Sequence, residues 1–196
     1  MPFINGRVIL FLGGFMKYSI IYADPPWKYE DNRCQGACER HYATLSNKRI
    51  CELPVNKLAA ENSVLFLWAT YPMLKEAFEV IDSWGFTYKT IAFQWVKLNK
   101  SGNGYFLGLG RWSRSNTEPC LLAVKGKPKR VSASVRQLIT SPLRRHSQKP
   151  DETRDRIVEL VGDLPRLELF AREKIDGWDS WGNEVKNNIK LSLEDL

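Results

Sequence analysis

The sequence predicts an α/β fold, three layers built on a mostly parallel sheet, from three observations. Short apolar runs alternate with segments of helical period. Ser63–Thr70 (SVLFLWAT) is apolar almost throughout, as in a strand covered on both faces. Tyr18–Ala23 (YSIIYA) stops at Asp24-Pro25-Pro26, where two prolines end any strand, so Asp24 falls just past a strand's carboxyl end. Ligands in open α/β sheets bind beyond such ends, near the point where the strand order reverses. Asp24 and the residues after Phe170 are the candidate positions.

The elements follow in order. Val8 to Met16 is an apolar run preceded only by Arg7 and followed by no small-residue cleavage site. Residues 1–16 therefore read as an N-terminal extension or strand, with Met16-Lys17 an equally good start. Lys28 to Arg49 is polar and aperiodic, a loop or irregular insertion. Leu53–Ala60 is a short helix candidate, and Ser63–Thr70 the strand already named. Pro72 opens a helix with Leu74, Ala77, Phe78 and Ile81 at helical spacing, ending near Gly85. Phe86–Val96 is the next strand. Asn99 to Arg114, rich in Gly, Asn and Ser, is a loop. Cys120–Lys125 is a strand. Val131–Ile139 lies between two basic clusters and is expected to be partly ordered. Asp151–Val161 is a helix with acidic residues in its first turn and Ile157, Leu160 and Val161 on one face. Arg166–Ala171 is the last strand, and the tail after Val185 is polar and prone to fraying.

Composition narrows the class. A chain of 196 residues makes one domain, and 43% hydrophobic residues exclude wholesale disorder. No stretch approaches the ~20 apolar residues of a membrane span. Four cysteines are too few for a disulfide scaffold of this length, and they fit a reduced, cytoplasmic setting. Cys34, Cys38 and His41, with Cys51, lack zinc-ribbon spacing and read as free thiols and a lone histidine, so no metal is expected.

Lys and Arg total 29 against 22 Asp and Glu, a net charge of +7 that favours a polyanionic partner. The charge is concentrated. No acidic residue lies between Glu118 and Asp151, while Lys125, Lys127, Lys129, Arg130, Arg136, Arg144, Arg145 and Lys149 do. The segment reads either as a solvated surface or as an arm tracking phosphates, with Lys129, Arg130, Arg144 and Arg145 the candidate contacts. Arg111, Trp112 and Arg114, with Tyr105 and Phe106, add the aromatic and basic mixture that stacks on unpaired bases.

Asp24-Pro25-Pro26-Trp27 carries the most specific chemistry. The prolines fix φ and supply no N–H, so the carbonyls here are rigid acceptors without competing donors. A carboxylate and a fixed carbonyl can hold both hydrogens of an amino group while a neighbouring aromatic stacks on the ring that bears it. The exocyclic amine of adenine is a poor nucleophile because its lone pair delocalises into the ring. Accepting its hydrogens draws the nitrogen toward tetrahedral geometry and frees the pair, so positioning and electrostatics carry the rate.

Ala23-Asp24-Pro25-Pro26-Trp27 resembles the signature of the MT-A-type nucleic-acid adenine methyltransferases. That family includes the catalytic subunit of the mRNA adenosine methyltransferase and many bacterial and phage enzymes. Further matches follow in order. Gly110-Arg111-Trp112 to Glu118, with Cys120-Leu121-Leu122, resembles the substrate loop and the strand after it. Lys125-Gly126-Lys127-Pro128 and His146-Ser147-Gln148-Lys149-Pro150 resemble two further segments. Glu168-Leu169-Phe170-Ala171-Arg172, then Gly177-Trp178-Asp179 through Trp181-Gly182-Asn183-Glu184, resembles the cofactor motif.

The resemblance implies a permuted Rossmann-like methyltransferase fold, with the catalytic motif before the cofactor motif. The domain would span 17–185, with substrate-binding loops at 98–118 and 125–149 and a tail at 186–196. The implied cofactor is S-adenosylmethionine. Asp24, Pro25, Pro26 and Trp27 would form the catalytic centre, with Asp24 also near the cofactor. Lys149 and Arg172 would pair with the methionyl carboxylate and Ser147 would add a hydrogen bond. Asn183 and Glu184 would hold the ribose hydroxyls, and Phe170 would pack nearby. Glu168 belongs to the same motif. Trp178 and Trp181 read as packing residues. No acidic residue precedes Asp24 to contact the cofactor's adenine, which leaves backbone groups near Tyr22 or in Lys28–Glu30. The substrate expected is DNA ahead of RNA. Amino methylation of cytosine is disfavoured because its motif more often begins with Ser. A silent nucleic-acid-binding subunit is the alternative from another class, and a homodimer or partner subunit would extend the recognition surface.

Overall fold

A computed structural model describes residues 17–29, 44–110, 112–145 and 147–191. The apolar run Val8 to Met16, together with Cys34, Cys38, His41, Arg111 and His146, lies outside them.

The strands are β1 (Tyr18–Ala23), β2 (Ala59–Trp68), β3 (Thr87–Leu98), β4 (Thr117–Lys125), β5 (Leu138–Pro142), β6 (Arg166–Leu169) and β7 (Asp179–Trp181). The helices are α1 (Asn47–Cys51), α2 (Val55–Leu58), α3 (Leu74–Ser83) and α4 (Glu152–Val161). The strands form one sheet in the order β5-β3-β4-β2-β1-β6-β7. Among these strands only β4 runs antiparallel to its neighbours. The pairs β1–β2, β1–β6, β3–β5 and β6–β7 are all parallel. This is the mostly parallel, Rossmann-like sheet the sequence predicts.

Alternation along the strands divides two cores. Ile21, Leu65, Leu67, Leu121, Leu167 and Leu169 face Ile50, Val55, Ala77, Val80, Ile81 and Trp84 of the α1–α3 layer. Ile20, Tyr22, Phe66, Trp68, Phe93, Trp95 and Ile139 face Ile157 and Val161 of α4, with Trp178 beside them. Trp84 is fully buried, and its indole N–H donates to the Ile50 carbonyl at 2.9 Å, which satisfies the one polar atom of a large apolar side chain.

Several boundaries differ from the sequence reading, each for a local reason. The loop expected through Arg49 gives way to α1, which Ser46 caps by accepting from the Arg49 N–H. The helix expected over Leu53–Ala60 is one short turn, because Ala59 already pairs with Tyr18 in the sheet. In α3 the inward stripe is Ala77, Val80 and Ile81, while Phe78 turns outward against Tyr88 with ring centres 4.9 Å apart. The edge strand β5 begins at the end of Val131–Ile139, the stretch expected to be only partly ordered, and runs on to Pro142. Arg156 of α4 donates to the carbonyls of Arg136 and Leu138 and ties its entry down. The tail does not fray at Val185. Asn188 accepts from the N–H and hydroxyl of Ser180, Asn187 accepts from the Gly182 N–H, and Leu191 is buried.

The antiparallel course of β4 has a larger consequence. Trp68 pairs with Cys120 at one end of the sheet and Ser63 with Lys125 at the other. The 99–116 loop therefore emerges at the carboxyl ends of the parallel strands, and the chain from Lys125 onward at their amino ends. Five residues at ~3.3 Å each separate the two poles by roughly 17 Å.

Candidate active site

β1 and β6 are neighbours from which the chain turns outward in opposite directions, β1 to β2 and β6 to β7. That is the topological switch point, where a crevice opens beyond the strand ends. A cavity of about 530 Å³ lies there, within the range of small-molecule sites. After β1 it is lined by Asp24, Pro25, Pro26 and Trp27, and after β2 by Trp68, Ala69 and Thr70. Glu118 of β4 and the segment carrying Ser147 and Lys149 form another wall. Phe170 to Arg172 after β6 and Trp181 to Glu184 at the end of β7 complete it, with Tyr29 and Leu45 at the side.

Backbone constraints converge on this cavity. Among the described residues, Ser147 and Phe170 are the two non-glycine positions with positive φ, 59° and 62°, and both line it. The left-handed region costs a bulky residue roughly 1–2 kcal/mol, and such strain persists only where surrounding contacts impose it. Here the Ala171 N–H donates to the Trp181 carbonyl at 3.0 Å, and the Phe170 and Trp181 rings meet edge to face at 5.5 Å. Gly182 lies against the same backbone, and a Cβ there would run into the Ala171 carbonyl oxygen.

The Asp24 carboxylate accepts from the Lys149 ammonium at both oxygens, 2.8 and 2.9 Å. Lys149 also lies 3.8 Å from Glu118 Oε2, and Lys97 lies 3.2 Å from the same oxygen. The result is a line of alternating charges, Asp24, Lys149, Glu118 and Lys97, leading from the cavity to the base of the 99–116 loop. Burial pushes the Asp24 carboxyl above its ordinary range, and Lys149 opposes the shift without cancelling it. Desolvation of several kcal/mol per buried ion can outweigh even a well-formed pair. Burial also pushes up the Cys120 thiol, with the Asp24 charge adding to the effect. Arg172 donates to Glu184 at 2.8 Å across the more exposed side.

The proline carbonyls differ from expectation. Pro25 accepts from the Trp27 N–H and Pro26 from the Leu45 N–H, both at 2.9 Å. Each carbonyl keeps a second lone pair. The Trp27 indole N–H donates to the Trp68 carbonyl at 3.2 Å, so its ring forms a wall of fixed orientation. The Lys28 N–H is taken by the Leu45 carbonyl and is not offered to a ligand, while the buried Tyr22 hydroxyl accepts from the Trp68 indole.

Of the residues singled out for the cofactor, Asp24, Ser147, Lys149, Phe170, Arg172, Asn183 and Glu184 share the cavity wall. Glu168 does not. Its carboxylate accepts two bonds from Arg154 of α4, at 2.8 and 2.9 Å. Strand alternation is the reason: Leu167 and Leu169 face the α1–α3 core, and Glu168 points to the opposite face. Trp68, Tyr29 and Thr70 were not legible as wall residues. Trp68 ends an apolar strand, and Tyr29 joins Thr70 only through a tertiary hydroxyl contact of 2.7 Å.

The residues singled out for nucleic acid separate between the poles. Trp112 is fully exposed and Arg114 exposed, on the loop rooted beside Glu118. Arg145 is exposed at the same pole, after β5. Arg144 is engaged by Asp151 and by the Lys149 carbonyl. Lys129 and Arg130 lie at the far pole, beyond Gly126, which abuts the Glu61 carbonyl. The basic stretch is therefore not one continuous arm.

The MT-A70 family model matches residues 18–184. Type II methyltransferase M.MunI of Mycoplasma sp is 35% identical over 192 residues, covering 88% of this chain and 79% of that protein. An N(6)-adenosine-methyltransferase MT-A70-like protein of Arabidopsis thaliana is 30% identical over 183 residues, 91% of this chain and 25% of that protein. The N(6)-adenosine-methyltransferase catalytic subunit METTL3 of Homo sapiens is 29% identical over 173 residues, 86% and 28% respectively. The chain thus spans about a quarter of these eukaryotic relatives and most of the bacterial one. With the match running from the start of β1 to the last residue of the cavity wall, the chain belongs to the MT-A70 family of methyltransferases.

Proposed function

We propose that the protein is an S-adenosylmethionine-dependent methyltransferase acting on the exocyclic amine of adenine in DNA. The observation that carries this reading is the meeting of Asp24-Pro25-Pro26-Trp27 with Lys149 and Arg172 in one cavity at the switch point. The donor set fits a zwitterionic cofactor with a diol. Lys149 and Arg172 offer cations to its carboxylate, Asp24 offers an anion to its cationic end, and Asn183 and Glu184 suit the hydroxyls. Phe170 and Trp181 give the apolar surface.

When bound, the cofactor supplies an electrophilic methyl group. The protein's part is placement. Asp24 would accept a hydrogen bond from one N–H of the target amine, and the spare lone pair of the Pro25 carbonyl would accept one from the other. The Trp27 ring, held by its bond to the Trp68 carbonyl, gives the base a face to stack on. Lys149, paired with Asp24 at 2.8 Å, would hold the cofactor's carboxylate when it is bound, leaving Asp24 to the amine. In a duplex the target amine lies inside the base pair, so the base must be flipped out to reach this cavity. Trp112, Arg114 and Arg145 at the cavity pole are the groups that would meet the strand.

DNA is favoured over RNA by the similarity to M.MunI, of which this chain covers 79%. The RNA reading draws on METTL3, of which it covers 28%. A silent binding subunit is disfavoured because Asp24, Lys149 and Arg172 are all present in the cavity wall. Nucleoside mass spectrometry after incubation with S-adenosylmethionine and unmethylated DNA or RNA tests the proposal. Methylated adenine in DNA is expected. Product in RNA alone keeps the chemistry and replaces the substrate, and no product in either overturns the activity.

A further inference from the structure

Lys149 is held from two sides, and both lead to Arg154. On the backbone side, Arg144 donates through Nη2 to the Lys149 carbonyl at 2.8 Å and through Nη1 to Asp151. Asp151 also accepts from Arg154 Nη1 at 3.1 Å. On the ring side, the Lys149 ammonium lies 5.5 Å from the Trp68 ring centre. The Trp68 indole N–H donates to the Tyr22 hydroxyl at 2.7 Å, and the Arg154 guanidinium lies 5.8 Å over the Tyr22 ring. Arg154, Asp151, Arg144, Lys149, Trp68 and Tyr22 thus close a ring of contacts. Arg154 is locked into that ring by its two bonds to Glu168, both side chains being about nine-tenths buried.

The guanidinium has the right shape for this node. Its planar fork engages the Glu168 carboxylate edge-on, a third nitrogen reaches Asp151, and its face covers Tyr22, which a lysine could not do together. Lys149 needs such support. Ordering its long chain is entropically costly, and a preset backbone and ring platform remove that cost from ligand binding. The capping of α4 reflects the same arrangement: Asp151 occupies the N-cap position, but its carboxylate makes no cap bond and serves the two arginines instead.

We propose that Arg154, anchored by Glu168, is a positioning residue that presets Lys149 both toward Asp24 and toward the cofactor's carboxylate. The inference rests on the role of Lys149 proposed above. It gives Glu168, which does not line the cavity, a defined function.

Arg154→Met alone would leave Glu168 buried without its partner, so the informative variant is the double change Arg154→Met with Glu168→Met, which removes both charges. Lys48→Met, which removes an exposed ion pair with Glu52 at α1, away from the ring, is the control. Two readouts are taken on the full chain without nucleic acid: calorimetric affinity for S-adenosylmethionine, and amide hydrogen exchange of residues 144–150 in the free protein. The double variant is expected to melt near the wild type, to exchange faster at 144–150, and to bind about tenfold or more weakly, the scale on which small misplacements act. Lys48→Met should change neither readout. Exchange and affinity both matching the wild type in the double variant would overturn the role of Arg154. If the wild type itself fails to bind, the cofactor role of Lys149 falls, and exchange decides alone: unchanged rates overturn the positioning role and faster rates uphold it.

Discussion

Asp24 sits past the last residue of β1 with both carboxylate oxygens on Lys149, and its raised pKa has a kinetic signature. The ionised form accepts the amine's hydrogens, so activity is lost as pH falls through the folded-state pKa. Because burial raises that pKa, the acid limb of kcat/KM should lie above the ~3.9 of an ordinary aspartate. Lys149 opposes the shift, so Lys149→Met should move the limb to still higher pH in whatever activity remains. A pH–rate profile whose limb stays put or moves down would separate Asp24 from the titration. Trp112 is the opposite kind of residue. It is fully exposed, so Trp112→Ala should leave the melting temperature within error while weakening nucleic-acid binding by roughly 1–3 kcal/mol, the value of one stacked base. Filter binding and a thermal melt on the same sample check both halves.

At the scale of elements, the approach of the β6 and β7 ends builds the cavity floor. A methyl at position 182 would press on the Ala171 backbone, which leaves no flexible side chain to yield. Gly182→Ala should therefore cost ~1–3 kcal/mol as an overpacking defect and reduce cofactor affinity along with stability. A denaturant melt showing no loss would mean that the turn can shift freely. The same region shows where the sequence was legible. Period and prolines located β1, β2, α3, α4 and β6 because each buries a clear apolar face or ends at a strong stop. They missed β7, a three-residue strand with no pattern of its own that exists only because it pairs with β6. They missed β5 because an edge strand amid basic residues carries little apolar signal. Motif residues at strand ends were legible as a set, since Asp24 and Phe170 both follow buried strands. The side-chain partner of Glu168 was not, because it depends on which face of β6 the residue occupies and on an arginine from another element.

At the scale of the molecule, the reversal of β4 divides the basic segment between two poles. Arg145 shares a pole with the cavity, whereas Lys129 and Arg130 lie at the other, on the order of 17 Å away along the strands. On an oligonucleotide of about a dozen base pairs centred on the target, Arg145→Ala should lower the salt slope of binding by ~1, and the pair Lys129→Ala with Arg130→Ala should leave it unchanged. Equal effects would mean that the strand wraps both poles. Arg144→Ala belongs to another category, because that side chain holds Asp151 and the Lys149 carbonyl, so its loss should weaken cofactor binding before nucleic acid is added. The catalytic pole itself is tested most directly by methyl transfer from S-adenosylmethionine to DNA in wild type and Asp24→Ala, with fold and cofactor binding measured on the same preparations. A folded, cofactor-binding Asp24→Ala that has lost transfer by roughly 10²–10³-fold or more is expected, the scale of removing one group that stabilises a transition state. Turnover retained in that variant would contradict the assignment of Asp24, and with it the cavity at the switch point as the catalytic centre.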